Sequence, residues 1–504
     1  MRRIAAAPFW TFTQRNGLFA HDAATGKTIR TSPAFYDLLS QRNLLAQGRA
    51  AEALVLVRDR YGDEVAQQVA LEFNALCEQG FFRRWVTGPD VGDDRALVDR
   101  LVKARTNKIE LYLTAGCNLS CVYCYAGKQG ALKAQRKMPL SVAHAAIDLL
   151  FRRAGRTREV CVTFLGGEPL LNKSVLMWVV NYTAARARAR GMRAQFSMTS
   201  NATLLDEEVI SLIKRHNFGL MISLDGPPDV QNTSRPFRGG APSFERAAAN
   251  IRKLAQRRRQ LTARCTLSRQ NHDKLRVVGF LEEFGFTRIA PGASCGTAWC
   301  KGAADLTEDD HEDIERQEDV LMQDWLTRIE TGSATPYNPY TESMRRTVDP
   351  PSHRIRCGVC RGVTTVDVDG RLYPCHRYVG MRAYAIGDAW AGVSDESHRH
   401  YLKGYLSSLR KCDACHIRRV CGGPCPWYVS RDDGTFVPPD TGHCRRVERW
   451  YRRMAALADE VSSRFPEYFR ERVLDKRSTR GEDREPGVPE TASETHVKNG
   501  VTPP

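Results

Sequence analysis

Directly after the apolar run Ile109–Leu113, three cysteines fall within eight residues: Cys117-Asn118-Leu119-Ser120-Cys121-Val122-Tyr123-Cys124. Three thiolates on one compact loop can bind three irons of a [4Fe–4S] cube and leave the fourth iron without a protein ligand. A small molecule can chelate that open iron through amino and carboxylate groups, and an electron passed from the cluster can then break a sulfonium bond in it. A zinc knuckle or buried free thiols are the structural alternatives. Zinc wants a fourth nearby Cys or His, and none follows within the loop.

The chain around this loop has 504 residues, which points to three or so domains, and its 42% hydrophobic content is enough to fold them. No uninterrupted apolar run approaches the ~20 residues of a membrane span, and no signal-length apolar core follows Met1–Arg3. A soluble, cytoplasmic protein with no membrane partner is therefore expected. Sixteen cysteines clustered at short spacings in a chain this long suit metal ligation better than a disulfide framework. The 75 Lys+Arg against 58 Asp+Glu give a net charge of +17, which would suit nucleic acid, an acidic peptide or an anionic cofactor. Much of that excess is Arg along helices, as in Arg186–Arg190, where solvated faces account for it.

From Phe9 to Trp85 short strands precede helices. Trp10–Thr13 and Leu18–His21 flank the turn at Arg15-Asn16-Gly17, Ser32-Pro33 starts a helix with Ser as cap and Pro at its first position, and Ala50–Tyr61 and Glu64–Gln79 continue as helices. Gly80-Phe81-Phe82 then turns out into a strand. Strands wrapped around three helices describe a winged-helix-like module over residues 1–105. The acidic balance of Glu64–Gln79 disfavours a DNA-recognition helix, so peptide docking or a structural role is expected there and a nucleic-acid partner is not.

After residue 106 strands and helices alternate: Ile109–Leu113, Val160–Phe164, Ala194–Thr199, Phe218–Ser223, Leu261–Leu267 and Thr287–Ala290 are strands, with helices such as Ser141–Arg153, Lys173–Arg190 and Asp206–Arg215 between them. Repeated βα units predict an α/β fold, a partial (β/α)6 barrel over 106–345, with function at the carboxyl ends of the strands. Beyond about Asp349 regular structure thins and cysteine density rises, so 346–455 is expected as a separate metal-organised domain. Residues 456–504 are expected as a helix followed by a disordered tail from about Arg477.

Three more loops at successive strand ends carry polar or glycine-rich signals: Gly166-Gly167-Glu168-Pro169, Ser200-Asn201 and Ser223-Leu224-Asp225-Gly226. Paired glycines allow close backbone approach and expose carbonyls to an ammonium group. With the cysteine loop, these segments resemble the radical S-adenosylmethionine (SAM) superfamily over about Lys108–Pro291. The resemblance implies that Cys117, Cys121 and Cys124 bind the SAM cluster. It further implies that Gly166, Gly167, Glu168 and Pro169 contact the SAM amino group, and that Ser200, Asn201 and Ser223 lie near its ribose and carboxylate. Tyr123 resembles the aromatic residue that packs near the adenine, with core packing as its competitor.

The carboxyl-terminal region carries Cys357, Cys360, Cys375, then Cys412-x2-Cys415-x5-Cys421-x3-Cys425, then Cys444. Eight thiolates suffice for two four-ligand cubes or two structural zinc sites. The Gly370-x4-Cys375 segment, the C-x2-C-x5-C-x3-C run and Cys444 resemble the SPASM domain of peptide-modifying radical SAM enzymes. That resemblance implies one auxiliary cluster on Cys357, Cys360, Cys375 and Cys425 and a second on Cys412, Cys415, Cys421 and Cys444, making three [4Fe–4S] clusters with the first. Cys77, Cys161, Cys265, Cys295 and Cys300 have no such spacing partners, and lone cysteines are usually small buried apolar residues. Cys295 and Cys300 are the pair to watch.

Sulfatase-maturing members carry an Asp base just after the Cys of Gly-x4-Cys; here that position is His376, and Gln231-Asn232 replaces their His-Asp pair while Arg235 is retained. This departure counts against formylglycine formation. Domain order and the Tyr-Pro-Cys-His segment look most like the quinohemoprotein amine dehydrogenase maturation enzymes, which install Cys-to-Asp/Glu thioethers in a small subunit. By that resemblance a 5′-deoxyadenosyl radical abstracts hydrogen from a methylene of an acidic side chain, a substrate thiolate forms the carbon–sulfur bond, and an auxiliary cluster takes up an electron. Asp225 is the expected proton acceptor, with capping of its own turn as the alternative. The expected partners are a small protein or peptide substrate docked partly by the amino-terminal module and an electron donor such as flavodoxin or ferredoxin. A formylglycine-forming sulfatase activator and a carbon–carbon peptide cyclase are the competing activities.

Overall fold

The structure is a computed structural model that describes residues 9–15, 17–23, 25–82, 94–128, 135–155, 157–258, 260–294, 302–350, 358–359 and 362–475. Strands β1 (Phe9–Gln14), β2 (Gly17–Asp22) and β3 (Lys27–Thr31) form an antiparallel sheet in that order. Helices Pro33–Ser40, Arg42–Ala46, Ala50–Tyr61, Asp63–Glu78 and Asp94–Val102 follow, two helices more than the sequence pattern suggested. The Ser32 side chain accepts from the Phe35 amide with Pro33 in the first turn, as a capped helix start requires. Phe81 and Phe82 turn into this module's core beside Phe73, and the strand expected beyond them lies outside the described residues.

Six parallel strands follow: β4 (Lys108–Tyr112), β5 (Glu159–Leu165), β6 (Arg193–Ser200), β7 (Gly219–Ser223), β8 (Thr262–Leu267) and β9 (Arg288–Ala293). They pair in sequence order, with helices including Leu140–Arg153, Lys173–Ala189, Glu207–Arg215, Phe244–Ala255 and Lys274–Glu283 in the crossovers. The helix Glu207–Arg215 shows why these segments stop and start where they do. Asp206 caps it, Glu207 and Glu208 occupy its first turn, and Lys214 and Arg215 its last, complementing the helix dipole. Period-two alternation sorts each strand: Val160, Val162 and Phe164 of β5, and Ala263, Cys265 and Leu267 of β8, are buried in the shared hydrophobic core. Thr163 and Leu165, and Arg264 and Thr266, therefore stand on the opposite face, toward the barrel interior.

The carboxyl-terminal region does not form a separate body. Strand β10 (Val363–Val366) runs parallel beside β4, and β11 (Arg371–Tyr373), β12 (Gly387–Asp388) and β13 (Gly392–Val393) extend the sheet by antiparallel pairing. The order is β13-β12-β11-β10-β4-β5-β6-β7-β8-β9, and one hydrophobic core runs from Leu97 to Val473. The physical reason is that an open barrel leaves β4 with unpaired backbone groups, and β10 pairs them.

A long helix, Thr441–Arg464, closes the molecule against the amino-terminal sheet. Trp10, Phe12 and Phe19 pack with Ile417, Tyr451 and Ala455, and ion pairs Arg15–Glu460 (2.8 Å) and Arg30–Asp459 (2.7 Å) flank the contact. His21, fully buried at its centre, has Nδ1 2.7 Å from the Tyr451 hydroxyl and Nε2 3.2 Å from the His416 carbonyl oxygen. Burial, then the neighbouring His416, hold its pKa down to about 3. Among the described residues no helix is long and apolar enough to cross a membrane. The tail expected to be disordered, from about Arg477, lies outside them.

Candidate functional site

The cysteine loop leaves the carboxyl end of β4 and is clamped by the loop after β5. The Gly167 amide donates to Thr114 oxygen at 3.0 Å and the Glu168 amide to Gly116 oxygen at 3.0 Å. A Cβ on Gly167 would sit 2.1 Å from Gly116 oxygen and 2.9 Å from Cys117 Cβ. Gly166 has φ +144°, and a Cβ there would fall 2.8 Å from Thr114 oxygen. Both glycines are thus required by backbone packing onto the cysteine loop.

Glu168 is buried beneath this clamp. Its Oε1 accepts from Ser200 Oγ (2.9 Å) and the Leu170 amide (3.2 Å), and its Oε2 accepts from the Asn201 amide (2.8 Å). Burial pushes its pKa up to about 7 although all three donors favour the carboxylate. Pro169 follows as the first residue of a short 3-10 turn. Asn201 reaches back to the cysteine loop, its Nδ2 donating to Asn118 Oδ1 at 2.9 Å, while Asn118 Nδ2 donates to Thr203 Oγ1 at 2.8 Å. Ser200, Asn201 and Glu168 are therefore brought together with the cysteine loop as a buried brace. Ser223 ends β7 nearby and is nearly buried.

The three thiols are partly buried, and N–H donors lie close to two of them: the Leu119 amide 3.4 Å and Asn201 Nδ2 3.9 Å from Cys117 Sγ, and Arg235 Nη1 4.0 Å from Cys121 Sγ. Burial pushes the Cys117 thiol up to about 11 and Cys121 up to about 12. Thiolates here thus need compensating positive charge, which bound iron would bring, with N–H donors of the kind that support cluster sulfurs. Among the described residues no group of three His, Cys, Asp or Glu side chains is placed to hold a single metal ion.

Asp225, the expected proton acceptor, follows the end of β7. It is wholly buried, its Oδ1 accepting from the Thr266 amide (2.9 Å) with Arg235 Nε at 3.0 Å, and its Oδ2 accepting from the Tyr123 hydroxyl. The geometry makes it the post that holds Tyr123 and Arg235, whose guanidinium lies 5.3 Å from the Tyr123 ring centroid.

Inside the barrel, His376 Nδ1 stands 3.2 Å from Glu110 Oε2, which also accepts from Thr365 Oγ1. Burial opposes charge on both, yet the neighbours of His376, Tyr125, Cys375 and Glu110, hold it above the ordinary imidazole range. His376 in turn draws Glu110 below the carboxylate range. Arg377 lies 5.1 Å from the Tyr125 ring and 4.7 Å from the Trp427 ring. Sequence reasoning missed Glu110, Tyr125, Arg264 and Trp427. A charged residue at alternate positions of an apolar strand, as in Ile109-Glu110-Leu111, is the signal that could have found the strand members.

Cys375 is partly buried and Cys425 is exposed. Cys415 is raised by burial and senses Cys444, while Cys412 and Cys421 sit on the same short segment. Cys357, Cys360, Cys295 and Cys300 lie outside the described residues. Cys77 and Cys265 are buried apolar residues, and Cys161 is half-buried with its Sγ 3.7 Å from Gln195 Oε1.

Comparison with known proteins agrees with this geometry. Residues 111–278 match the Radical SAM superfamily, so that stretch of the chain is a radical SAM domain. The uncharacterized protein MJ0907 of Methanocaldococcus jannaschii is 33% identical over 26% of this chain and 43% of its own length, so the match spans less than half of that relative. The serine-type anaerobic sulfatase-maturating enzyme of Klebsiella aerogenes is 24% identical over 62% of this chain and 78% of its own. Radical SAM cyclopropyl synthase TigE of Paramaledivibacter caminithermalis is 20% identical over 69% and 73%. Among solved structures, native anSMEcpe with bound AdoMet and Cp18Cys peptide superposes with a TM-score of 0.58 at 18% identity, over 70% of this chain and 98% of that one. That likeness establishes the shared fold.

Proposed function

We propose that this chain is a peptide-modifying radical SAM maturase that joins a Cys sulfur to a side-chain carbon of Asp or Glu in a small protein subunit or precursor peptide. The observation that carries the thioether assignment is His376. It occupies the place where sulfatase-maturing sequences have their Asp base, and it is tied to Glu110 inside the barrel. Sulfatase-maturating relatives of Klebsiella and the shared anSMEcpe fold favour formylglycine formation as the second reading.

Cys117, Cys121 and Cys124 would hold the first cluster. Cys357, Cys360, Cys375 and Cys425 would hold one auxiliary cluster, and Cys412, Cys415, Cys421 and Cys444 the other. When bound, SAM and the clusters supply a radical that removes one hydrogen atom from the substrate methylene and a sink for the remaining electron. Gly166, Gly167, Glu168, Ser200 and Asn201 fix the cysteine loop relative to the barrel mouth, and Tyr123 is held by Asp225. Ser223 borders the same mouth. Residues 1–105 would dock the peptide, since β3 ends its sheet and an extended chain can pair along a strand edge.

The test uses anaerobic reconstituted enzyme with a small Cys- and Asp/Glu-containing protein or peptide as substrate. A product lacking two hydrogen atoms and one alkylatable thiol, with fragments linked Cys to Asp or Glu, is expected. An aldehyde captured by a hydrazide from a sulfatase peptide would replace this reading with the second.

A further inference from the structure

Arg264 differs from the other barrel-interior cations in what surrounds it. On β8 it alternates with the core residues Ala263 and Cys265, and it lies abreast of Ser223 on β7 and Ala290 on β9. Its Nη1 donates to the Ala290 carbonyl at 3.2 Å, and it forms no ion pair with any carboxylate among the described residues. Gly292 clears the space beside it, since a Cβ there would lie 2.3 Å from Nη2. Arg235, by contrast, has Asp225, and Arg377 lies against the Tyr125 and Trp427 rings. Burial weighs against the Arg264 charge, and Arg377 and Arg235 oppose it further. Guanidinium carries five N–H donors in a planar fork suited to a carboxylate, and charges removed from water are ordinarily paired.

We infer that Arg264 is a carboxylate anchor in the barrel interior that grips an acidic side chain of the substrate peptide and so selects the residue presented for reaction. This rests on the peptide-modifying reading and deepens it: Asp or Glu is chosen because no carboxylate among the described residues pairs with Arg264. The α-carboxylate of SAM is the competing source of the same chemistry.

The probes are acetyl-Gly-Gly-Glu-Gly-Gly-amide and its Gln twin, added with SAM to reduced holoenzyme. Broadening of their side-chain methylene proton signals by the paramagnetic cluster reports binding close to it. The wild type is expected to bind the Glu peptide about tenfold more tightly than the Gln peptide, the scale of one charge-assisted pair. Arg264→Gln should erase that preference and Arg264→Lys retain part of it. Residual binding of the Gln peptide by Arg264→Gln shows that the site is still folded; if that variant binds neither peptide, Arg264→Lys decides. A preference that survives in Arg264→Gln, or stays full in Arg264→Lys, overturns the inference. A tenfold loss of SAM affinity with the peptide preference intact assigns the arginine to SAM instead. A Glu preference without any thioether product would leave the anchor standing and remove the proposed reaction, so the two fail separately.

Discussion

Gly167 has no room for a side chain, because the Gly116 carbonyl and Cys117 Cβ occupy the position a Cβ would take. Gly167→Ala must therefore separate the clamp from the cysteine loop and lose the hydrogen bonds from the Gly167 and Glu168 amides. Each abandoned bond costs about 1 kcal/mol, so a loss of several kcal/mol with the added clash is expected, read by denaturant melting of the anaerobic protein. Iron bound after reconstitution should fall by about one cluster's worth. Full iron content with unchanged stability would refute the clamp. The same loops show where sequence reading ends. The cysteine spacing is local and was legible. Asp225 was not, because the groups that occupy it arrive from Tyr123, Arg235 and Thr266 on three separate segments.

At the scale of elements, the amino-terminal hairpin is welded to the segment bearing Cys412, Cys415 and Cys421. Trp10 lies 4.6 Å from the His416 ring and 4.6 Å from the Arg452 guanidinium, and Cys415, Val420 and Cys421 pack against the same cluster. Removing a buried Trp side chain costs about 3–5 kcal/mol. Trp10→Ala should therefore speed amide exchange across residues 412–421 by tenfold or more, and unchanged exchange there would show that the contact is dispensable. His21 adds a pH dependence. Its folded pKa of about 3 lies below the ordinary 6.5, so the unfolded form takes up the proton first. Its contribution is full above about 6.5 and is lost as pH falls from there toward 3. Exchange across residues 9–31, corrected for intrinsic rate, should rise between pH 7 and pH 5 in the wild type and not in His21→Phe.

For the whole molecule, the continuous sheet joins barrel and auxiliary region through β10 and β4. With the three proposed clusters, the chain is expected to bind about twelve irons. Cys117→Ala should remove about four of these and abolish SAM cleavage while the auxiliary sites stay filled. Retained cleavage would contradict the ligand assignment, and zinc without sulfide would overturn the proposed auxiliary clusters.

The sequence by itself determined the six strands of the barrel, the Cys117–Cys124 loop and the polar loops at successive strand ends, because periodicity and motif spacing are properties of contiguous chain. Only the tertiary structure decided what those residues touch. Glu168 braces Ser200 and Asn201, Asp225 holds Tyr123 and Arg235, His376 meets Glu110, and the region beyond Asp349 completes the barrel sheet. Most of these join positions some thirty to several hundred residues apart, and hydrogen-bond geometry and burial at such separations are set by packing, which no local pattern encodes.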